Sequence, residues 1–70
     1  MQRQPVESAC IASVGYDANS LTLEVQFNKG TVYQYLGVPP STHTSLVTAA
    51  SIGKYLNSQI KGRHAFQRNP

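Results

Sequence analysis

The sequence predicts an α+β fold, a three-stranded antiparallel β-meander followed by two short α-helices packed on one face. Three observations lead there. Leu21-Thr22-Leu23-Glu24-Val25-Gln26-Phe27 alternates apolar and polar residues without a break, the pattern of a half-buried strand. Asn28-Lys29-Gly30 then supplies a tight loop ahead of a second β-rich run, Thr31 to Leu36. After Gly37-Val38-Pro39-Pro40 the pattern changes, and apolar residues recur at helical spacing.

Each element has its own local reason. Met1 to Glu7 is polar and reads as a loose end. Ala9 to Tyr16 reads as the first strand, with Ala12, Val14 and Tyr16 on one face, and Asp17-Ala18-Asn19-Ser20 has turn chemistry. Gly30 is free to take the positive φ a tight hairpin needs. If Phe27 faces Thr31, then Val25 faces Tyr33 and Leu23 faces Tyr35; across the first turn Tyr16 faces Leu21 and Val14 faces Leu23. Opposed residues share a sheet face, so Val14, Tyr16, Leu23, Val25, Tyr33 and Tyr35 form one apolar, tyrosine-rich surface. Pro40 suits a first helical turn, and His43, Leu46, Val47 and Ala50 fall on one side of the helix that follows. A second helix starts near Ser51, carries Ile52, Tyr55, Leu56 and Ile60 as its apolar stripe, and ends at Gly62.

Length and composition bound the rest. Seventy residues make one domain, here 1–70 with its core at about 7–66, and a core this small is marginally stable alone. Exposed strand edges and a small core lead us to expect a homo-oligomer. The single cysteine, Cys10, allows no intramolecular disulfide and reads as a small buried hydrophobe. The start lacks the apolar run of a signal peptide and nothing reaches a membrane-spanning length, so a cytoplasmic setting without membrane partners is expected.

Charge is distributed unevenly. The net charge is +3, yet the last acidic residue is Glu24; beyond it stand Lys29, Lys54, Lys61, Arg63 and Arg68. Such a half favours anionic partners. The most informative stretch is Ser51 to Arg63. Ser51 can cap a helix whose first turn Gly53 leaves bare, and Lys54 places a cation beside it. A helix start with free N–H groups, a hydroxyl and a lysine can hold a phosphate. The same residues also fit an ordinary serine cap, a closely packed glycine and a solvated lysine. Lys61 and Arg63, together with Arg68, offer a second phosphate contact, or a basic helix end set favourably on the macrodipole. Tyr55 is the tyrosine best placed to stack on a base, Tyr33 and Tyr35 being expected to pack. Asn57 fits a base edge and a carbonyl cap equally. His43 reads as a packing residue on its helix, and His43 and His64 lack companions at metal-ligand spacing. Three acids and no base–nucleophile arrangement argue for a non-enzymatic domain with no cofactor.

The chain resembles the KTSC domain family through Ile11-Ala12-Ser13-Val14-Gly15-Tyr16-Asp17, Leu21-x-Leu23-x-Val25-x-Phe27-x-x-Gly30, Val32-Tyr33-x-Tyr35, Val38-Pro39 and Ala50-Ser51-x-Gly53-x-Tyr55-x-Asn57-x-x-Ile60-x-Gly62-Arg63. The resemblance spans about Glu7 to Phe66. His43 departs from it, standing where the family more often has an aromatic or apolar residue. The family is named for its occurrence at the C-terminus of some lysyl-tRNA synthetases, and it also includes free-standing bacterial and phage proteins. The resemblance implies either an RNA or tRNA accessory module or a phage anti-defence sponge that sequesters cyclic nucleotide signals in the host cytoplasm. Combined with the charge distribution, it leads us to expect a nucleotide or cyclic oligonucleotide ligand at Ser51, Gly53, Lys54, Tyr55, Asn57, Lys61 and Arg63. RNA binding is the alternative, and a protein–protein interaction module the third.

Overall fold

A computed structural model describes residues 3–69. The element order is β1 (Arg3–Pro5), β2 (Ile11–Asp17), β3 (Thr22–Phe27), β4 (Val32–Tyr35), α1 (Pro40–Val47), α2 (Ile52–Tyr55), a π-helical turn (Leu56–Ile60) and β5 (Phe66–Asn69). The strands form one antiparallel sheet in the order β1-β2-β3-β4-β5. The α+β architecture stands, but the expected three-stranded sheet has five strands. Of the segment expected to be loose, Arg3–Pro5 pairs with β2, while Met1 and Gln2 lie outside the described residues. The C-terminal Phe66–Asn69 pairs with β4. Both added strands complete backbone hydrogen bonds that the edges of a three-stranded meander would leave open.

Registers follow from the turns. Leu23 pairs with Tyr35 and Val25 with Tyr33, as the alternation requires. Between β2 and β3 the register is two residues away from the expected one: Val14 meets Val25 and Tyr16 meets Leu23. The reason is the wider turn. The Asp17 carboxylate accepts from Asn19 N at 3.0 Å and Ser20 Oγ at 3.0 Å, and Leu21 takes φ 54°, so pairing closes only at Asp17–Thr22. A two-residue shift keeps every side chain on its face. A second correction falls on Ala12. The pairing is irregular between Ile11 and Ser13, so Ile11 rather than Ala12 joins Val14 in the core.

The core lies between one sheet face and the helices. Ile11, Val14, Leu23, Val25 and Tyr35 meet Val38, Leu46, Ile52, Leu56 and Ile60, all buried. Helix α1 contributes Leu46; Val47 and Ala50, expected on its inner side, are exposed, because the helix stops at Val47. His43 packs as expected, its ring stacked on Tyr16 at 4.6 Å and 7°, while the Tyr16 hydroxyl donates to Val38 O. The second helical segment opens as an α-turn and continues as a π-turn, closed by Lys61 N donating to Leu56 O at 2.7 Å.

The other sheet face carries a polar row that crosses all five strands: Arg3, Gly15, Glu24, Gln34 and Gln67 are successive register partners. Gly15 has no side chain, so the Arg3 side chain reaches across it to Glu24 Oε1 at 2.7 Å. Gln34 Nε2 donates to Glu24 Oε2 at 2.9 Å, and Gln67 Nε2 donates to Gln34 Oε1 at 2.8 Å. This row ties both edge strands to the centre of the sheet.

Candidate functional site

Three segments meet at one end of the sheet: the β3–β4 hairpin tip, the residues just before β2, and the π-turn. Short-range chemistry sets the tip. Gly30 takes φ 94°, a conformation costly for other residues, and its N–H donates to Phe27 O at 2.8 Å; Phe27 N donates to Thr31 O at 2.8 Å. Asn28 ties the tip to the approach to β2, donating from its backbone N to Cys10 O and from Nδ2 to Ala9 O, each at 2.8 Å. Ser8 Oγ holds that approach by accepting from Cys10 N and Ile11 N at 3.3 Å.

Between these segments lies an open cleft of about 440 Å³. Phe27 and Tyr33 form its aromatic side, with ring centroids 5.6 Å apart in an edge-on contact. Lys29 enters from the hairpin tip, and Asn57 and Lys61 from the helix. The π-turn keeps Leu56 and Ile60 in the core while Asn57 and Lys61 line the cleft beside them. No lining residue is acidic. Glu24 is held on the opposite sheet face, and Asp17 sits in the first hairpin, where the Asn19 N–H and then the Ser20 hydroxyl keep its carboxyl below the usual carboxylate range. Among the described residues, Arg3 is the one cation in an ion pair, and Lys29, Asn57 and Lys61 make no side-chain hydrogen bond. The site therefore offers two free cations, an amide and aromatic surface to an anionic, ring-bearing ligand.

The expected site residues divide. Asn57 and Lys61 line the cleft; Ser51, Gly53, Lys54, Tyr55 and Arg63 do not. Ser51 caps its own helix, its Oγ accepting from Lys54 N at 3.4 Å, which takes up one of the N–H groups expected to hold an anion. Gly53 lies against the Ser8 side chain, whose Oγ is 3.8 Å from where a Cβ would stand. Lys54 points to solvent, Tyr55 packs half-buried against the core, and Arg63 is exposed in the turn after Gly62, which takes φ 87°. Cys10 corrects another expectation. It is exposed on the cleft, because β2 begins at Ile11 and that residue takes the buried position. The lining residues missed are Ala9, Cys10, Phe27, Asn28, Lys29, Thr31 and Tyr33. Lys29 carried a readable signal, since a lysine at a hairpin tip must project from the sheet end. Nothing local to the strands marks Tyr33 as only half covered.

Among the described residues no group of three or more His, Cys, Asp or Glu side chains could hold a metal ion, and no helix is long and apolar enough to cross a membrane.

Comparison with known proteins agrees with this architecture. The KTSC domain family profile matches residues 7–64. A crystal structure of a KTSC domain protein from Yersinia pestis superposes with a TM-score of 0.95 at 42% identity, covering 99% of this chain and 97% of that one. An uncharacterized protein of Stutzerimonas stutzeri is 38% identical over 64 residues, covering 91% of this chain and 90% of the relative. A lysine–tRNA ligase of Nostoc punctiforme is 37% identical over 62 residues, which span 89% of this chain and 11% of the ligase. With its profile, its fold and close full-length relatives in agreement, the chain belongs to the KTSC domain family.

Proposed function

We propose that this domain captures a phosphate-containing nucleotide without turning it over. The observation that carries the reading is the cleft, where unpaired Lys29 and Lys61 accompany the Phe27–Tyr33 aromatic pair and no acid intervenes. The lysines serve the phosphate, the rings take the base face and Asn57 its polar edge. In this reading the role is binding, carried by the cations and rings that line the cleft, and the cyclic oligonucleotide implied by the family resemblance falls within the same ligand class.

The test is calorimetric titration with nucleoside monophosphates and with inorganic phosphate. Each of Lys29→Ala and Lys61→Ala should weaken nucleotide binding by about 1.5–3 kcal/mol, the range for a hydrogen bond to a charged group. Bound nucleotide should also slow modification of exposed Cys10 by a thiol reagent. Lys54→Ala separates this cleft from the helix start: it should leave affinity unchanged, and a loss there with none at Lys29 or Lys61 would move the site to Ser51–Lys54.

A second reading is RNA binding, favoured by the match to a lysine–tRNA ligase. It requires tRNA affinity that falls steeply with salt and no heat from mononucleotides.

A further inference from the structure

Tyr33, which lines the cleft, also touches the last strand of the sheet. Phe66 opens β5 as the register partner of Tyr35, so its side chain is on the core face. Its ring meets Tyr33 edge-on at 5.5 Å and Tyr35 at 5.9 Å, yet the residue is 57% exposed. Leu21, Leu36 and Val47 are the other exposed large hydrophobics among the described residues, and each is less open. Arg68 is the register partner of Tyr33 and stands on the same face; it is exposed, and its side chain makes no hydrogen bond or ion pair among the described residues. Strand β5 is held by backbone pairing to β4 and, from the opposite face, by Gln67 Nε2 donating to Gln34 Oε1. Phe27, Tyr33 and Phe66 thus form a continuous aromatic run, with Lys29 and Lys61 near the Phe27 end and Arg68 beside Tyr33, two residues along β5 from Phe66.

We infer that Phe66 and Arg68 form a second nucleotide subsite, and that the ligand is two bases joined by a phosphodiester. This rests on the cleft's nucleotide reading and names its ligand class. One base lies in the cleft against Phe27 and Tyr33; the next stacks on the open face of Phe66. Arg68 meets the linking phosphate with its planar, permanently charged fork. The occupant is chosen by charge complementarity: an aromatic run flanked by Lys29 and Lys61 in the cleft and by Arg68 on β5, with no acid among the cleft or β5 residues, suits an oligonucleotide.

The experiment titrates the full chain with a nucleoside monophosphate, a linear dinucleotide and a cyclic dinucleotide, following tyrosine fluorescence and heat. The linear dinucleotide should bind at least about fivefold tighter than the monophosphate, since one stacked base contributes roughly 5- to 150-fold. Phe66→Ala should remove that advantage and leave monophosphate affinity in place; Arg68→Ala should reduce it. Circular dichroism checks folding, and Phe66→Leu, which keeps apolar packing but no ring, stands in if the alanine variant unfolds. Preference between the linear and cyclic compounds identifies the source of the dinucleotide unit. Monophosphate binding with no dinucleotide gain, or equal weakening of both ligands by Phe66→Ala, overturns the second subsite while leaving the cleft. Dinucleotide binding lost in Phe66→Ala, without monophosphate binding, supports the subsite and removes the cleft reading. No binding of any compound overturns both.

Discussion

Glu24 is the centre of the polar row that holds the edge strands, and Glu24→Gln tests that row with almost no change of shape. The carboxylate accepts from two sides: Arg3 Nη1 at 2.7 Å on Oε1 and Gln34 Nε2 at 2.9 Å on Oε2. An amide has one oxygen and one NH₂ group, so it cannot accept from both. With its oxygen on Arg3 and its NH₂ group toward Gln34, the row is restored only if the Gln34 and Gln67 amides both turn over, and the charge facing Arg3 is gone in any case. One charge-assisted bond becomes an ordinary one, and bonds to charged groups are a class worth about 1.5–3 kcal/mol. The side chains of Arg3 and Glu24 are 31% and 10% exposed, so solvent screens the pair from one side and the lower half of that range applies. We expect a loss of about 1.5 kcal/mol. For a domain of this size each kcal/mol moves Tm by roughly 4–8 °C, so the midpoint should fall by about 6–12 °C. Thermal and urea unfolding measure it. In an Arg3→Met background the effect should shrink, because the pair is already broken and its coupling is gone. A fall of less than about 2 °C in the wild-type background, or the same fall with and without Arg3, would refute the reasoning. Hydrogen exchange should show β1 and β5 loosening before β3, since the row attaches the edges to the centre.

Leu21 holds φ 54°, a left-handed conformation that costs an L-residue roughly 1–2 kcal/mol. Leu21→Asn should raise stability by about 0.5–1 kcal/mol after the loss of Leu21's partial packing, and a lower urea midpoint would contradict this. Burial holds the His43 imidazole below its ordinary pKa. The unfolded chain therefore takes up the proton first, near its usual value of about 6.5, so the contribution of His43 is complete above that pH and is lost as pH falls through the depressed native value. Tm measured from about pH 8 to pH 5 should decline less steeply in His43→Phe, which keeps a ring on Tyr16; parallel curves would remove this role.

Much of the sheet and part of the cleft were legible from local pattern. The unbroken alternation from Leu21 to Phe27 assigned side chains to faces, and period two made that assignment survive a two-residue change in the β2–β3 register. Gly30 and Pro40 marked a hairpin and a helix start because each has a backbone preference written in its covalent structure. The apolar stripe Ile52–Leu56–Ile60 placed the second helical segment on the core, with Asn57 and Lys61 beside it. The basic half led to the expectation of an anionic ligand at Ser51 to Arg63, and of the residues named there only Asn57 and Lys61 line the cleft.

The remainder was decided by contacts between distant residues. Arg3–Pro5 and Phe66–Asn69 show no decisive strand pattern; they are strands because neighbouring edges offer unpaired backbone groups, and because Glu24, Gln34 and Gln67 build a row across the sheet. The π-turn arises where Lys61 N reaches Leu56 O. The cleft joins residues 9–10, the 27–33 hairpin and the helix at 57–61, and no single window of sequence contains it. Sequence by itself determined which side chains of β3 and β4 share a face and how the Asn28–Gly30 hairpin is made, since those properties depend on backbone periodicity and covalent preference. Only the tertiary structure decided which free lysines and uncovered aromatic rings meet, since that depends on where the helical cover stops and where the ends of the chain return to the sheet.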